Sequence, residues 1–369
     1  MAADLYAGVM SGTSLDGVDA VVARFGDGAR GCETLGSAHL AMPAPLRTTL
    51  LQLQAPGSDE LARAARASLA LADLYADAVV AAAGNAGVGV RTIRAAGVHG
   101  QTVRHRPDEH WTIQLNDPAR IAERLDIAVV ADFRRRDLAA GGQGAPLVPA
   151  FHHALFGRED RARAVLNLGG IANLTLLDPG LPVRGFDTGP ANVLLDAWHG
   201  KHFATAIDVD GRWAASGRAS QRLLDRMLGE PYFELRPPKS TGRDLFDLGW
   251  LEAQLGNHHD ELEAVDVQAT LALLTVGSVA RALRREMPQA EELLVCGGGA
   301  SNRFLIDKLA REVSPCRVLP TSDEGVATDH VEALAFAWLA REAFAGRPGN
   351  IATVTGARGL RVLGAIYPR

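Results

Sequence analysis

Short apolar blocks at 4–9, 18–25 and 31–40 predict three consecutive strands near the start of the chain. The spacing then lengthens to three and four. Leu61, Ala65, Leu69, Leu71 and Leu74 predict a helix over 59–83, after a shorter one at 46–53. Ser58, ahead of Asp59 and Glu60, has the form of an N-cap followed by first-turn acids. Strands are expected again at 93–98, 111–115 and 127–131, with a helix at 117–125. Residues 132–146, DFRRRDLAAGGQGAP, break every periodicity and are expected to form a functional loop or hinge ahead of a helix at 147–157.

The pattern then starts again. Strands are expected at 163–168, 172–178 and 183–186, helices at 189–200, 219–228, 244–255 and 264–287, then strand 292–296, helix 301–313, strand 316–319 and helix 328–345. Each half reads as consecutive strands followed by alternating helices and strands, which gives an α/β fold of mixed sheets flanked by helices. The order repeats although the residues do not. The expectation is two related lobes, 1–135 and 136–369, with the last segment packing back on the N-terminal lobe and ligands in a cleft between them.

Composition narrows the function classes. The net charge of −5 argues against a nucleic-acid partner. The stretch 67–83 is Ala-rich but carries Asp73 and Asp77, so no membrane partner is expected. The first residues lack a basic stretch followed by an apolar core, and the three cysteines show no paired spacing, so a cytoplasmic setting is expected. Lysine is scarce, with only Lys201, Lys239 and Lys308. Phosphate charge would then be met by amides, hydroxyls, Arg and a metal.

Three glycine-rich turns fit the two-lobe plan: Gly12-Thr13-Ser14-Leu15-Asp16-Gly17 with Val18 and Asp19 beyond it, Gly169-Gly170-Ile171-Ala172-Asn173, and Gly297-Gly298-Gly299-Ala300. Glycine lets the backbone approach a ligand, and successive amides form a nest for anions. Two hairpin turns facing each other could hold a triphosphate, and the third, between a strand and a helix, could accept an adenosine. No G-x-x-x-x-G-K-[ST] occurs, and no G-x-G-x-x-G follows a strand. His258-His259-Asp260-Glu261 mimics a metal cluster without a third ligand spacing and reads as a surface loop.

These turns resemble those of the sugar kinase, actin and heat-shock chaperone ATPase superfamily. The blocks MSGTSLDGVDAV, VHGQTVRHRP, DFRRRDLAAGGQGAPLVPAFH, NLGGIANLT, FDTGPANVLLDAW, PPKSTGRDLF and CGGGASN together resemble the 1,6-anhydro-N-acetylmuramic acid kinases across nearly the whole chain. The resemblance implies two ribonuclease-H-like lobes, ATP and Mg²⁺, a homodimer, and a role in peptidoglycan recycling. It also implies the reaction: phosphorylation of the sugar by ATP with opening of its 1,6-anhydro bridge by water. The usual sugar-kinase first turn has an Asp near its start. Here Val9, Met10 and Ser11 stand there, and the acids come later, so the metal is left to Asp16 or Asp19, through water.

That substrate has no free hydroxyl at position 6, because O6 is tied to C1. A water must attack C1 while O6 leaves toward phosphorus, and one carboxylate suffices as base for the water. The resemblance assigns this base to Asp187, which the pattern places at the end of a strand; the residues alone also allow a helix-capping role. His99, Gln101 and Arg104 offer sugar-hydroxyl and lactyl-carboxylate contacts, or form an ordinary polar turn. Arg134, Asp137 and the glycines at 141–144 are expected to gate the sugar, and Glu332 reaches it by resemblance. The segment Lys239–Arg243 either touches ATP or closes a loop. Rival readings are a kinase of another amino sugar acting on a free hydroxyl, an actin-like nucleotide-driven binding protein, and an ATP-independent glycoside hydrolase using Asp132 and Asp187.

Overall fold

The computed structural model describes residues 4–26, 31–203, 205, 207–256 and 262–369, so His258-His259-Asp260-Glu261 lie outside the described residues. The chain divides into two compact units, Met1–Phe156 with His330–Arg369, and Gly157–Asp329. Residues 136–156, which the sequence reading assigns to the second lobe, therefore belong to the first unit. The loop 132–146 lies inside that unit and not at a crossing point, which corrects its reading as a hinge. A five-residue helix, Arg135–Ala139, also interrupts it.

The first unit contains β1 (Leu5–Met10), β2 (Gly17–Phe25), β3 (Cys32–Ala41), β4 (Ile93–Val98), β5 (Gln101–Arg106), β6 (Trp111–Leu115) and β7 (Ala128–Ala131). The second contains β8 (Arg163–Leu168), β9 (Ile171–Leu177), β10 (Arg184–Pro190), β11 (Glu292–Cys296) and β12 (Arg317–Pro320). β13 (Ala365–Tyr367) returns to the first unit and pairs antiparallel with β7.

The first sheet has the order β3-β2-β1-β4-β7-β13, and β5-β6 form a separate hairpin. The second has the order β10-β9-β8-β11-β12. In both, the first three strands form an antiparallel meander and the fourth and fifth add in parallel beside the first. Each unit thus has a ribonuclease-H-like sheet, and the repeat read from the pattern is a repeat of topology. The central strands are buried on both faces, as helix-covered parallel strands are.

Three local readings change. Gln101–Arg106 is a strand and not a polar turn: Gln101 pairs with Leu115 and Arg106 with Trp111. Ser58 does not cap the long helix, Glu60–Asn85; Asp59 occupies the cap position with a left-handed backbone and no capping side chain. β10 runs on to Pro190 and the next helix starts at Asn192, so Asp187 sits within a strand, at a register shift.

The helix Glu60–Asn85 is long and apolar enough to cross a membrane by length and composition. Here it covers β2 and β3, burying Leu71, Tyr75 and Val79, while Asp73 pairs with Arg120 and Arg124, and Asp77 with Arg124. It is a core helix of the first unit.

Two glycines set how the helix Val331–Phe344 lies on the first sheet. Gly8 and Gly97 face each other in the β1–β4 register. A Cβ on Gly8 would stand 1.9 Å from the Ala333 carbonyl oxygen, and one on Gly97 would stand 2.0 Å from that of Phe336. The obstacle is backbone, so it cannot swing away. Gly8→Ala is expected to lift the helix and destabilise the protein by about 3 kcal/mol or more, read as a fall in the denaturation midpoint.

Candidate active site

In the first unit the candidate residues gather at the C-terminal ends of the parallel strands β1, β4 and β7, where open α/β sheets place their ligands. The turn 11–16 follows β1, His99 to Gln101 follow β4, and Asp132 to Arg134 follow β7. The His99 amide donates to the Val9 carbonyl at 3.1 Å, which locks the first two together.

The turn is built from inside. The Ser11 hydroxyl meets the buried Tyr75 hydroxyl at 2.7 Å. Gln101, fully buried, donates from Nε2 to the Gly12 carbonyl at 3.1 Å. Leu15 takes a left-handed backbone (φ 56°) to bury its side chain in the core, where it is 1% exposed. These anchors leave Thr13, Ser14 and Asp16 exposed at the tip. Asp16 Oδ1 accepts from Ser14 Oγ at 2.6 Å and from the Gly17 amide at 3.0 Å.

The glycines of this turn differ in kind. A Cβ on Gly17 would lie 2.4 Å from the His39 ring and 2.6 Å from the Leu40 carbonyl oxygen, so packing alone requires glycine there. A Cβ on Gly12 would meet Ser14 alone, its Oγ at 3.5 Å and its amide nitrogen at 4.0 Å, ordinary contacts. Gly12 is open to a ligand where Gly17 is not.

His99 is buried, and its Nε2 accepts from Arg134 Nε at 3.0 Å and Nη2 at 2.8 Å. An arginine only donates, so Nε2 carries a lone pair and the imidazole is neutral with its proton on Nδ1. Burial, with the Arg134 charge beside it, holds the His99 pKa well below the usual range. Arg134 also donates to the Gly144 carbonyl at 2.7 Å. Burial lowers its pKa to about 10, opposed by Glu332 and Asp137, so the guanidinium stays charged at neutral pH. Glu332, in the first turn of the helix that Gly8 and Gly97 seat, has its pKa raised by burial and by the like charge of Asp19, against the pull of Arg134. His99, Arg134, Glu332 and Asp19 thus share one local field.

Two neighbours have other duties. Arg104 is ion-paired with Glu60. Asp137 is completely buried; it accepts from the Gly144 amide, Asn350 Nδ2 and Thr355 Oγ1 at 2.7–2.8 Å. It pins the glycine loop and the C-terminal segment to one carboxylate. Asp132 has a left-handed backbone (φ 61°), and burial raises its pKa.

In the second unit, Gly169 and Gly170 lie between β8 and β9. Their carbonyls accept from the amides of Asn192 (Gly169) and of Ala191 and Val193 (Gly170), at 3.0–3.1 Å. Neither Cβ position is blocked; the nearest atoms are at 3.5 and 3.8 Å. Asn192 Nδ2 donates to the Leu168 carbonyl at 3.0 Å, and a Cβ on Gly299 would lie 2.7 Å from Leu168 Cβ and 3.2 Å from Asn192 Oδ1. The second and third turns are therefore neighbours. Gly297 (φ 80°) and Gly299 are fixed by packing, whereas Gly298 faces open space. Asn302 closes the third turn and caps the helix Arg303–Glu312 through the Leu305 amide at 3.0 Å.

Asp187 lies on β10, paired with Asn173 of β9. It caps no helix, and Thr188 donates to the Ala172 carbonyl at 3.2 Å. Burial pushes the Asp187 carboxyl up to about 6, against the Thr241 amide, which donates to Oδ2 at 3.1 Å, and against the more distant Lys239 charge. The Asp187 amide donates to the Lys239 carbonyl at 3.1 Å, and the Tyr232 hydroxyl donates to the Asp187 carbonyl at 2.7 Å. The undecided segment Lys239–Arg243 is thus the support of Asp187. Its motif was visible in the sequence; nothing there marked Tyr232.

No three His, Cys, Asp or Glu side chains come together as a metal cage among the described residues. Asp16 has one oxygen engaged by the turn, and Asp19 Oδ1 meets His39 Nδ1 at 2.8 Å. Such a donor set fits a Mg²⁺ ion carried by phosphates and waters with a single carboxylate at its edge.

The model of the anhydro-N-acetylmuramic acid kinase family matches residues 4–369. The chain belongs to that family. An anhydro-N-acetylmuramic acid kinase of Bordetella avium is 56% identical, covering 98% of this chain and 96% of its own. One from Cupriavidus metallidurans is 51% identical, covering 99% and 98%. One from Pseudomonas paraeruginosa is 50% identical, covering 98% of each. Membership in the anhydro-N-acetylmuramic acid kinase family makes the chain a kinase and ATP its phosphoryl donor. Neither an actin-like binding role nor an ATP-independent hydrolase is favoured.

Proposed function

We propose that this chain transfers the γ-phosphoryl group of ATP to O6 of 1,6-anhydro-N-acetylmuramic acid while water opens the anhydro bridge, giving N-acetylmuramic acid 6-phosphate and ADP. Asp187 is the base. It takes a proton from the water as the water oxygen bonds to C1; the C1–O6 bond breaks, O6 bonds to phosphorus, and the bond from phosphorus to ADP breaks. The observation that carries this reading is the setting of Asp187: a desolvated carboxylate with no cation paired to it among the described residues, supported at its backbone on both sides and with its pKa near 6. A base poised close to working pH is what proton abstraction from water needs.

The first turn, from Gly12 to Asp19, and Gly169, Gly170 and Asn173 take the phosphates; Gly298, Gly299 and Ala300 take the adenosine. His99, Arg134 and Glu332 hold the sugar. Gln101 contributes by fixing Gly12. Asp16 or Asp19 would hold Mg²⁺ through water, and the ion would neutralise phosphate charge. The reading carries with it a homodimer working in the cytoplasm in the recycling of peptidoglycan.

A coupled ADP-release assay tests the function. ADP should appear with 1,6-anhydro-N-acetylmuramic acid and not with N-acetylmuramic acid or glucose; equal rates with the ring-opened sugars would contradict the reading. The pH profile follows from Asp187. The carboxyl must be ionised to act, and its folded pKa is raised, so turnover should climb through about pH 6 and level off above it. A profile flat from pH 5 to 8 would remove Asp187 from the role of base.

A further inference from the structure

The second unit holds a cavity of about 230 Å³ that none of the roles above uses. Thr188, Phe233, Lys239, Ser278, Arg281 and Arg285 line it, with Glu234 as the single carboxylate. A water takes up roughly 30 Å³ of liquid, so the space has room for a small ion.

Its charge is unbalanced. Arg285 is neutralised by Glu286, which Arg184 shares. Lys239 and Arg281 form no ion pair among the described residues. Lys239 Nζ donates to the Tyr232 and Phe233 carbonyls at 3.1 and 3.4 Å, which leaves one of its three protons. Arg281 spends one N–H on the Leu228 carbonyl at 3.3 Å, and the rest of its donor set remains. The two hydroxyls give their protons away, Thr188 to Ala172 and Ser278 to Thr275, and so offer none. The cavity, open to solvent on the side of Glu234, Arg281 and Arg285, therefore presents a lysine and an arginine with spare donors. Burial and the neighbouring Arg285 lower the Lys239 pKa to about 8, against the pull of Glu286, Glu234 and Asp187.

We propose that this cavity binds a small oxyanion of the phosphate type, held by Lys239 and Arg281. An oxyanion accepts from both and restores the charge balance that Glu234 alone does not. The site touches Asp187 through Lys239, whose ammonium lines the cavity while its carbonyl accepts the Asp187 amide. An occupied site fixes the residue on which Asp187 rests; that consequence depends on the role proposed for Asp187, and the binding itself does not.

Titration of the full-length chain with inorganic phosphate, followed by calorimetry at pH 7, tests the site. The protein is first saturated with Mg²⁺ and a non-hydrolysable ATP analogue, so that the glycine turns are filled. One phosphate per chain should still bind. Arg281→Gln should weaken that binding at least tenfold, and Arg281→Lys should recover part of it. Affinity for the ATP analogue and turnover should stay within twofold in both variants, which also shows that they fold. Absence of phosphate binding to the nucleotide-loaded wild type, or undiminished binding to Arg281→Gln, would overturn the proposal.

Discussion

Asp187→Asn is expected to lower turnover by roughly 10²–10⁴-fold or more, with ATP and sugar binding nearly intact. The substitution keeps the shape of the side chain. An amide oxygen can still accept from Thr241, and the two backbone hydrogen bonds at residue 187 do not involve the side chain. What is lost is the negative charge that takes the proton. The same change should stabilise the protein. With a folded pKa near 6 and an unfolded one near 4, the native state binds more protons between those values, so native stability falls as pH rises through that window. At neutral pH the ionised, desolvated Asp187 therefore costs roughly 3 kcal/mol, and Asn removes that cost. A variant that is nearly inactive yet melts higher than wild type at pH 7.5, with the gap closing below pH 4, is the expected pair of results. Near-normal turnover would end the case for Asp187; a lower melting point would show that its burial is not the strain inferred here.

Gly12→Val is expected to weaken ATP binding by roughly a hundredfold or more, about 2.7 kcal/mol. The valine Cβ has room in the turn, where Ser14 Oγ at 3.5 Å is its nearest neighbour, so the fold should survive. A phosphate brought against the backbone would collide with it. Gly17→Val provides the contrast. Its Cβ would run into the Leu40 carbonyl and the His39 ring, so it should lower stability whether or not ATP is present. ATP titration beside thermal melting separates the two. Unchanged ATP affinity in a folded Gly12→Val protein would remove the first turn from the phosphate site.

Much of this was legible in the amino-acid sequence because it rests on local signals. The period-two and longer spacings located every strand of the six-stranded and five-stranded sheets except β13, and the glycine turns stand out as breaks in apolar runs. What pattern could not reach was the purpose of each glycine. Gly12 and Gly17 look alike in sequence, but only the approach of β3 tells which is held by packing and which is left open. Gly8 and Gly97 carried no motif, yet they decide where the helix bearing Glu332 lies. Asp137 was read as a gate because it sits among charges and glycines; its three partners, two of them more than 200 residues away, make it an anchor. The Lys239 and Thr241 main-chain groups support Asp187 without trace in residue identity, and the Tyr232 hydroxyl reaches the Asp187 carbonyl from 45 residues away, which no local pattern marks.

The most direct test of the account is to run the reaction in water labelled with heavy oxygen and follow the product by NMR within the first minutes, before the anomers equilibrate. The anhydro bridge holds O6 on the β face of the sugar, so water activated by Asp187 must reach C1 from the opposite face in a single displacement. The account predicts the α anomer of N-acetylmuramic acid 6-phosphate as first product, with label at the anomeric oxygen and none in the phosphate group. A first-formed β anomer, or label in the phosphate, would contradict it.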